Sequence, residues 1–176
     1  MNLLTRQTSF MLWEDVIKSA ENHCAVSLKK ELESYLISLL MRYINKPGVT
    51  TQILATAFLK ALHEDEGRQS SLQSVGDHCL LFVGLFPHLA EKRLVKINYF
   101  VDLGRSAYAT ISHTTNDLYS SLALQFVVLM DVLQSIRVQN DLLPLEAYEL
   151  WNEVGSQRAL KILQTYSHGI PFKFLK

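Results

Sequence analysis

The chain has 176 residues, 48% hydrophobic and 19% charged, which is enough apolar material for one packed domain without a metal or a disulfide. Its 17 lysine and arginine residues balance 17 aspartate and glutamate residues, so the formal net charge is zero. The composition excludes an intrinsically disordered chain, and the charge balance argues against a nucleic-acid-binding protein, which usually carries a basic excess.

The first half of the chain predicts three helices. Apolar residues recur at spacings of three and four over residues 27–45, as in an amphipathic helix, and Lys46-Pro47-Gly48 ends that pattern. Residues 50–67 predict a second helix. A third contains the stretch GDHCLLFVGLF (76–86), and Pro87 stops or bends it because proline disfavours helical geometry in the residue before it.

The second half predicts four more helices. The same periodicity runs over residues 89–112 and 118–136. Pro144 suits the first turn of a short sixth helix that Gly155 ends, and Ser156 can cap a seventh. The sequence therefore predicts an all-α fold, a single-domain bundle of about six or seven helices over residues 1–176, with peripheral segments at 1–25 and 168–176.

Cellular location is predicted from apolar runs and cysteines. The longest apolar runs are shorter than the ~20 residues that a transmembrane helix needs, so no membrane span is expected. The N-terminal stretch does not resemble a secretory signal. Cys24 and Cys79 have no ligand-like or CxxC spacing, and two reduced thiols are typical of the cytoplasm. We therefore expect a soluble cytoplasmic protein.

The triplet Asp77-His78-Cys79 places an acid, an imidazole and a thiol side by side. Successive side chains on a helix are rotated by about 100°, so these three cannot converge on one substrate atom. Cys79 also lies on the apolar stripe of its helix, which predicts a buried, inert thiol. No catalytic residue is predicted, but Asp77 and His78 can still line a pocket.

Glycines interrupt two of the predicted helices. Gly76 and Gly84 lie inside the third helix, where each costs roughly 1 kcal/mol relative to alanine. Close approach of a neighbouring helix would offset that cost, and room for a ligand is the other interpretation. Gly104 opens the surface of the fourth helix in the same way.

The stretch YFVDLGRSAY (99–108) groups polar side chains on the fourth helix. Tyr99 and Asp102 share one side, and Asp102 and Arg105 form an i, i+3 pair with Tyr108 three residues further on. This pattern predicts either a solvated salt bridge or a buried polar network that faces Asp77.

Metal and cofactor motifs are missing from the sequence. Its 6 histidines are scattered, with no HExxH or ExxH, and there is no Walker loop, GxGxxG or GxSxG. We therefore predict no metal and no cofactor.

The stretch GD..LLFVGLFP, followed by YF.DLGR.AY, resembles an uncharacterised family of all-helical bacterial proteins. The resemblance is most specific from Gly76 to Tyr108. Where the family has two adjacent tyrosines this chain has Tyr99-Phe100, so no role for a second hydroxyl is carried over. The resemblance implies a bacterial, soluble, all-helical protein and carries over no known activity.

The first functional hypothesis is a non-enzymatic protein that acts by self-association or by interaction with another protein. Aromatic and aliphatic residues occur near both ends of the chain, where few helices can cover them: Phe10, Leu12, Trp13, Phe172, Phe174 and Leu175. An exposed apolar patch there would favour association, whereas packing back onto the core is the plainer interpretation.

The alternative hypothesis is a small-molecule-binding or enzymatic pocket between the third and fourth helices. It requires six polar side chains to point into one cavity: Asp77, His78, Tyr99, Asp102, Arg105 and Tyr108.

Overall fold

A computed structural model describes residues 2–45, 54–87, 96–112, 117–136 and 142–166. These residues form nine helices and no strand: α1 (Asn2–Cys24), α2 (Lys30–Asn45), α3 (Leu54–His63), α4 (Arg68–Leu85), α5 (Ile97–Ser112), α6 (Asp117–Leu124), α7 (Phe126–Ile136), α8 (Pro144–Val154) and α9 (Gln157–Tyr166). The all-α prediction is confirmed for this part of the chain, and the predicted number of helices is too low.

The number differs for two reasons. α1 lies in the segment expected to be peripheral, where the sequence shows no sustained apolar stripe, and it nevertheless buries Ile17 and Ala20. The predicted fifth helix is two helices, α6 and α7, which meet at Gln125 and are bent by 72°. The bend allows α6 to pack on α5 while α7 packs on α1 and α4.

Three predicted helix ends are confirmed by their local chemistry. α4 ends at Leu85, shortly before Pro87. α8 begins at Pro144 and is closed by Gly155, whose φ of 74° is left-handed and favours glycine. α9 is capped by Ser156, whose Oγ accepts the Ala159 N–H at 3.1 Å.

The start of α2 is later than predicted. Ala25 has a φ of 56°, which turns the chain after α1, and the Glu21 carboxylate accepts the N–H of Leu28. Because these residues form a connection, the helix starts at Lys30 rather than at Ser27. The predicted boundaries at Lys46-Pro47-Gly48, near residue 50 and at residue 89 lie outside the described residues.

The centre of the bundle is α4. It packs against α3, α5 and α7, while α5 packs against α6, α7 and α8, and α9 packs against α1, α7 and α8. Every helix contributes buried side chains to one continuous core, from Ile17 in α1 to Leu163 in α9.

Glycines make the central contacts close. A Cβ on Gly84 of α4 would lie 2.6 Å from the Cβ of Leu133 in α7. A Cβ on Gly104 of α5 would lie 2.5 Å from the Phe126 ring and 2.9 Å from the Cβ of Cys79. All three distances are too short for a real side chain, so the structure places these glycines at close helix–helix contacts.

None of the described helices is long and apolar enough to cross a membrane by itself. The bent pair α6–α7 meets the test only by length and composition. Leu122, Phe126 and Leu133 of that pair are fully buried in the core.

Candidate functional site

Asp77 is a buried carboxylate on α4, with 6% of its surface exposed. Its Oδ1 accepts hydrogen bonds from the hydroxyls of Tyr35 at 2.6 Å and Tyr108 at 2.7 Å. Its Oδ2 accepts a hydrogen bond from Nη2 of Arg42 at 3.1 Å. We call these four residues the Asp77 cluster. It joins α4 to α2, which carries Tyr35 and Arg42, and to α5, which carries Tyr108.

Aromatic rings surround this carboxylate. The ring centroids of Tyr35 and Tyr108 are 6.3 Å apart, and Tyr119 of α6 lies 6.5 Å from the first and 6.1 Å from the second. Nε2 of Gln73 donates to the Tyr35 hydroxyl at 3.3 Å. The cluster is thus closed by aromatic surface on the core side, while the Arg42 side chain is 54% exposed on the other.

Gly76 makes room for the cluster. A Cβ at this position would lie 2.5 Å from Cε1 of Tyr108. The ring of Tyr108 therefore rests on the bare backbone of α4, one residue before Asp77, and its hydroxyl reaches the carboxylate. Gly76 and Asp77 are consecutive, so the residue that admits the Tyr108 ring lies next to the residue that accepts its hydroxyl hydrogen bond.

Burial and hydrogen bonding act in opposite directions on the pKa of Asp77. Burial raises the pKa of Asp77, and the hydroxyls of Tyr35 and Tyr108 and the charge of Arg42 oppose that rise. Burial, and then the negative charge of Asp77, raises the pKa of both tyrosines, so their hydroxyls stay protonated and donate. Since both carboxylate oxygens already accept hydrogen bonds, the arrangement supplies a cross-link among three helices.

The other polar residues predicted for a pocket lie elsewhere. Nδ1 of His78 is 2.6 Å from the carbonyl oxygen of Ser74, one turn earlier on the same helix. Tyr99 is 43% exposed, and Asp102 and Arg105 are exposed on α5. The six predicted side chains are therefore divided between the core and the surface, and the structure brings together only Asp77 and Tyr108.

Two members of the Asp77 cluster were not among the predicted site residues. Tyr35 belongs to the apolar stripe of α2, and Arg42 lies beside that stripe. Their spacing of seven residues, two helical turns, puts both side chains on the same side of α2. That spacing is the available signal, but it does not reveal that the shared partner is on α4.

Both cysteines are buried free thiols. Burial raises the pKa of Cys79 to about 12, so its sulfur is protonated near neutral pH. Sγ of Cys24 lies 2.8 Å from Oγ of Ser135 and donates to the carbonyl oxygen of Asp131 at 3.3 Å. Neither thiol lies in a setting that favours a nucleophile.

Asp131 is the second buried carboxylate. Its Oδ1 accepts the hydroxyl of Ser156 at 2.6 Å and its Oδ2 accepts the N–H of Arg158 at 3.2 Å. Burial raises its pKa to about 6, against the effects of the Ser156 hydroxyl, the backbone N–H groups and the charge of Arg158. Asp131 thereby fixes the first turn of α9 to α7.

The outer side of α8 carries two parallel rows of exposed residues. Leu145 is 68% exposed and Tyr148 is 46% exposed, and both align with Asn152 because residues three and four apart are neighbours on a helix. The adjacent row is acidic. We call these two rows the α8 face: Leu145, Tyr148 and Asn152, with Glu146, Glu149 and Glu153.

More apolar surface lies at the start of α8. Leu143 is 62% exposed, and Tyr166 of α9 is 48% exposed and donates through its hydroxyl to the carbonyl oxygen of Leu142 at 3.5 Å. This hydrogen bond places the end of α9 beside the start of α8. The exposed Leu143 and Tyr166 therefore lie at the same end of the helix pair.

The terminal residues predicted for association are only partly described. Leu12 is 62% exposed and Phe10 is 36% exposed, whereas Trp13 packs against the core. Phe172, Phe174 and Leu175 lie outside the described residues.

Among the described residues, no group of three or more histidine, cysteine, aspartate or glutamate side chains could hold a metal ion. Comparison with known protein families, with curated proteins and with solved structures found no match to this chain. The resemblance to a bacterial family therefore stays a prediction.

Proposed function

We propose that this chain acts without catalysis, by protein–protein association through the α8 face. The observation that carries the proposal is the exposure of Leu145 and Tyr148, side by side on one helix, with Leu143 and Tyr166 at the same end. Grouped apolar surface of this kind is characteristic of interaction sites, whereas single exposed leucines are ordinary.

The Asp77 cluster supports the same interpretation by its chemistry. A catalytic acid or base needs a lone pair or proton that reaches a substrate, and a nucleophile needs a base beside it. Both carboxylate oxygens of Asp77 instead accept hydrogen bonds within the chain, from Tyr35, Tyr108 and Arg42. Its role is to stabilise the scaffold that presents the α8 face.

Site-specific photo-crosslinking in intact cells tests the proposal. A photoreactive benzoylphenylalanine replaces Leu145 in one variant and Glu66, exposed in the turn before α4, in the control. We expect a discrete adduct from position 145 and none from position 66, and an added mass of 20.1 kDa would identify a second copy of the chain. If both positions give the same adducts, or position 145 gives none, the proposal is wrong.

A further inference from the structure

We infer that the α8 face binds an amphipathic helix whose apolar stripe is bordered by a row of lysine or arginine side chains. The inference rests on the proposed function and adds the chemistry of the partner. Its evidence is the arrangement of charge along α8.

The charge of α8 has one sign. The helix, PLEAYELWNEV, contains three glutamates and no lysine or arginine. Glu146, Glu149 and Glu153 repeat at spacings of three and four, so they form a row along the helix axis. Leu145, Tyr148 and Asn152 repeat at the same spacings one residue earlier, so a row that contains two apolar residues runs beside the acidic row.

Two glutamates of this acidic row already have hydrogen-bond partners within the chain. Glu146 accepts the N–H of Leu143 at 3.0 Å, and Glu153 pairs with Nζ of Lys96 at 2.6 Å. Glu149 lies between them and is exposed. Lys96 also interacts with the charge of Glu149. Among the described residues one lysine thus offsets part of the charge of three glutamates, and the remaining negative charge beside Leu145 and Tyr148 is what a basic residue of a partner would meet.

A partner helix can match both rows at once. α8 has 11 residues, or about 16 Å of helix at about 1.5 Å per residue, which is three turns of a partner packed alongside it. Apolar residues at spacings of three and four would cover Leu145 and Tyr148, and a basic residue on the flank would pair with Glu149. A nucleic acid or an anionic lipid surface would meet the glutamates with like charge, which disfavours both.

Two designed helical peptides serve as probes, one built of leucine and lysine in an amphipathic pattern and one of leucine and glutamate in the same pattern. Fluorescence anisotropy measures their binding to the wild-type chain and to the variants Leu145→Ser and Glu149→Lys. Glu66→Lys is the control, because it makes the same change of net charge away from α8.

We expect the leucine–lysine peptide to bind wild type and the Glu66→Lys control alike, and to bind each α8 variant at least tenfold more weakly. Higher salt should weaken the binding. The leucine–glutamate peptide should prefer Glu149→Lys. Equal binding of the leucine–lysine peptide to all four proteins, or to none, overturns the inference. A crosslink at position 145 that maps to an acidic or uncharged partner segment also overturns it while leaving association itself intact.

Discussion

At the scale of single residues, Asp77 is the contact on which three helices depend. Its two oxygens receive three donors, and the two tyrosine hydroxyls would be left in the core without it. A buried donor that loses its acceptor costs about 1–3 kcal/mol, more than the net value of the hydrogen bond itself.

Replacing Asp77 by alanine should therefore lower the free energy of unfolding by about 2–4 kcal/mol, because it strands the hydroxyls of Tyr35 and Tyr108. Asp77→Asn keeps an acceptor oxygen and should cost clearly less. Urea unfolding monitored by circular dichroism measures both values. A loss for alanine no larger than that for asparagine would contradict the role of the carboxylate as a shared acceptor.

Gly76 shows how a residue that lacks a side chain can be required. Gly76→Ala gains up to ~1 kcal/mol of helix propensity but forces a methyl group into the Tyr108 ring, and overpacking costs about 1–3 kcal/mol or more. We expect net destabilisation by thermal unfolding. Ser70→Ala, on the exposed side of the same helix, should change stability by less than about 0.5 kcal/mol. A stabilised Gly76→Ala variant would show that the ring has room to move.

The sequence allows part of this site to be predicted. Gly76 and Gly84 are out of place in a strongly periodic helix, which points to close neighbours, and the structure places Tyr108 and Leu133 against them. Two of the three partners of Asp77 could not be identified, because Tyr35 and Arg42 lie 42 and 35 residues away in the sequence and only packing brings them together. For the same reason the local pattern suggests Arg105 as the partner of Asp77, whereas in the structure Arg105 is exposed and Arg42 binds the carboxylate.

At the scale of elements, α9 is held by its first turn. Ser156 caps the helix locally, as its position in the sequence predicts, and Asp131 reinforces that cap from α7. The cap follows from neighbouring residues and could be predicted, whereas the buried acceptor 25 residues earlier could not. The bend between α6 and α7 could not be predicted either, because the apolar periodicity of the sequence continues through it without interruption.

The titration of Asp131 predicts how this attachment depends on pH. Its folded pKa of about 6 lies above the ordinary value for an aspartate in an unfolded chain, about 3.9. The contribution of Asp131 to stability is therefore full below pH ~4 and is lost as pH rises through about 6, by at most about 3 kcal/mol.

Comparing wild type with Asp131→Asn isolates this effect from other titrating groups. The difference in unfolding free energy between the two proteins should shift in favour of the variant from pH 4 to pH 7. Chemical denaturation at several pH values measures the difference. If it is constant over this range, the pKa of Asp131 is not raised in the folded protein.

At the scale of the whole molecule, α1 closes the bundle by packing on α7 and α2. Its Ile17 is buried, and Lys161 of α9 donates to the carbonyl oxygen of His23 near its end at 3.0 Å. These contacts join the first helix to the later half of the chain. The bundle should therefore unfold as one unit rather than shed α1 first.

Ile17→Ala should cost about 2–5 kcal/mol, as for other buried isoleucines. Val16→Ala is the matched control, since Val16 is 37% exposed, and its effect should stay below about 1 kcal/mol.

The fluorescence of Trp13 in α1 and Trp151 in α8, each followed with the other tryptophan replaced by phenylalanine, should give one unfolding midpoint. Separate midpoints would show that α1 detaches independently.

The pairing of α1 with α7 also sets an order of events during synthesis. Roughly 110 residues lie between the end of α1 and the end of α7, which at about 5–20 residues per second is on the order of 10 s of translation. Throughout that interval α1 can pack on α2, but α7 is not yet complete. The packing of α1 on α7 is therefore a late step in the folding of the nascent chain.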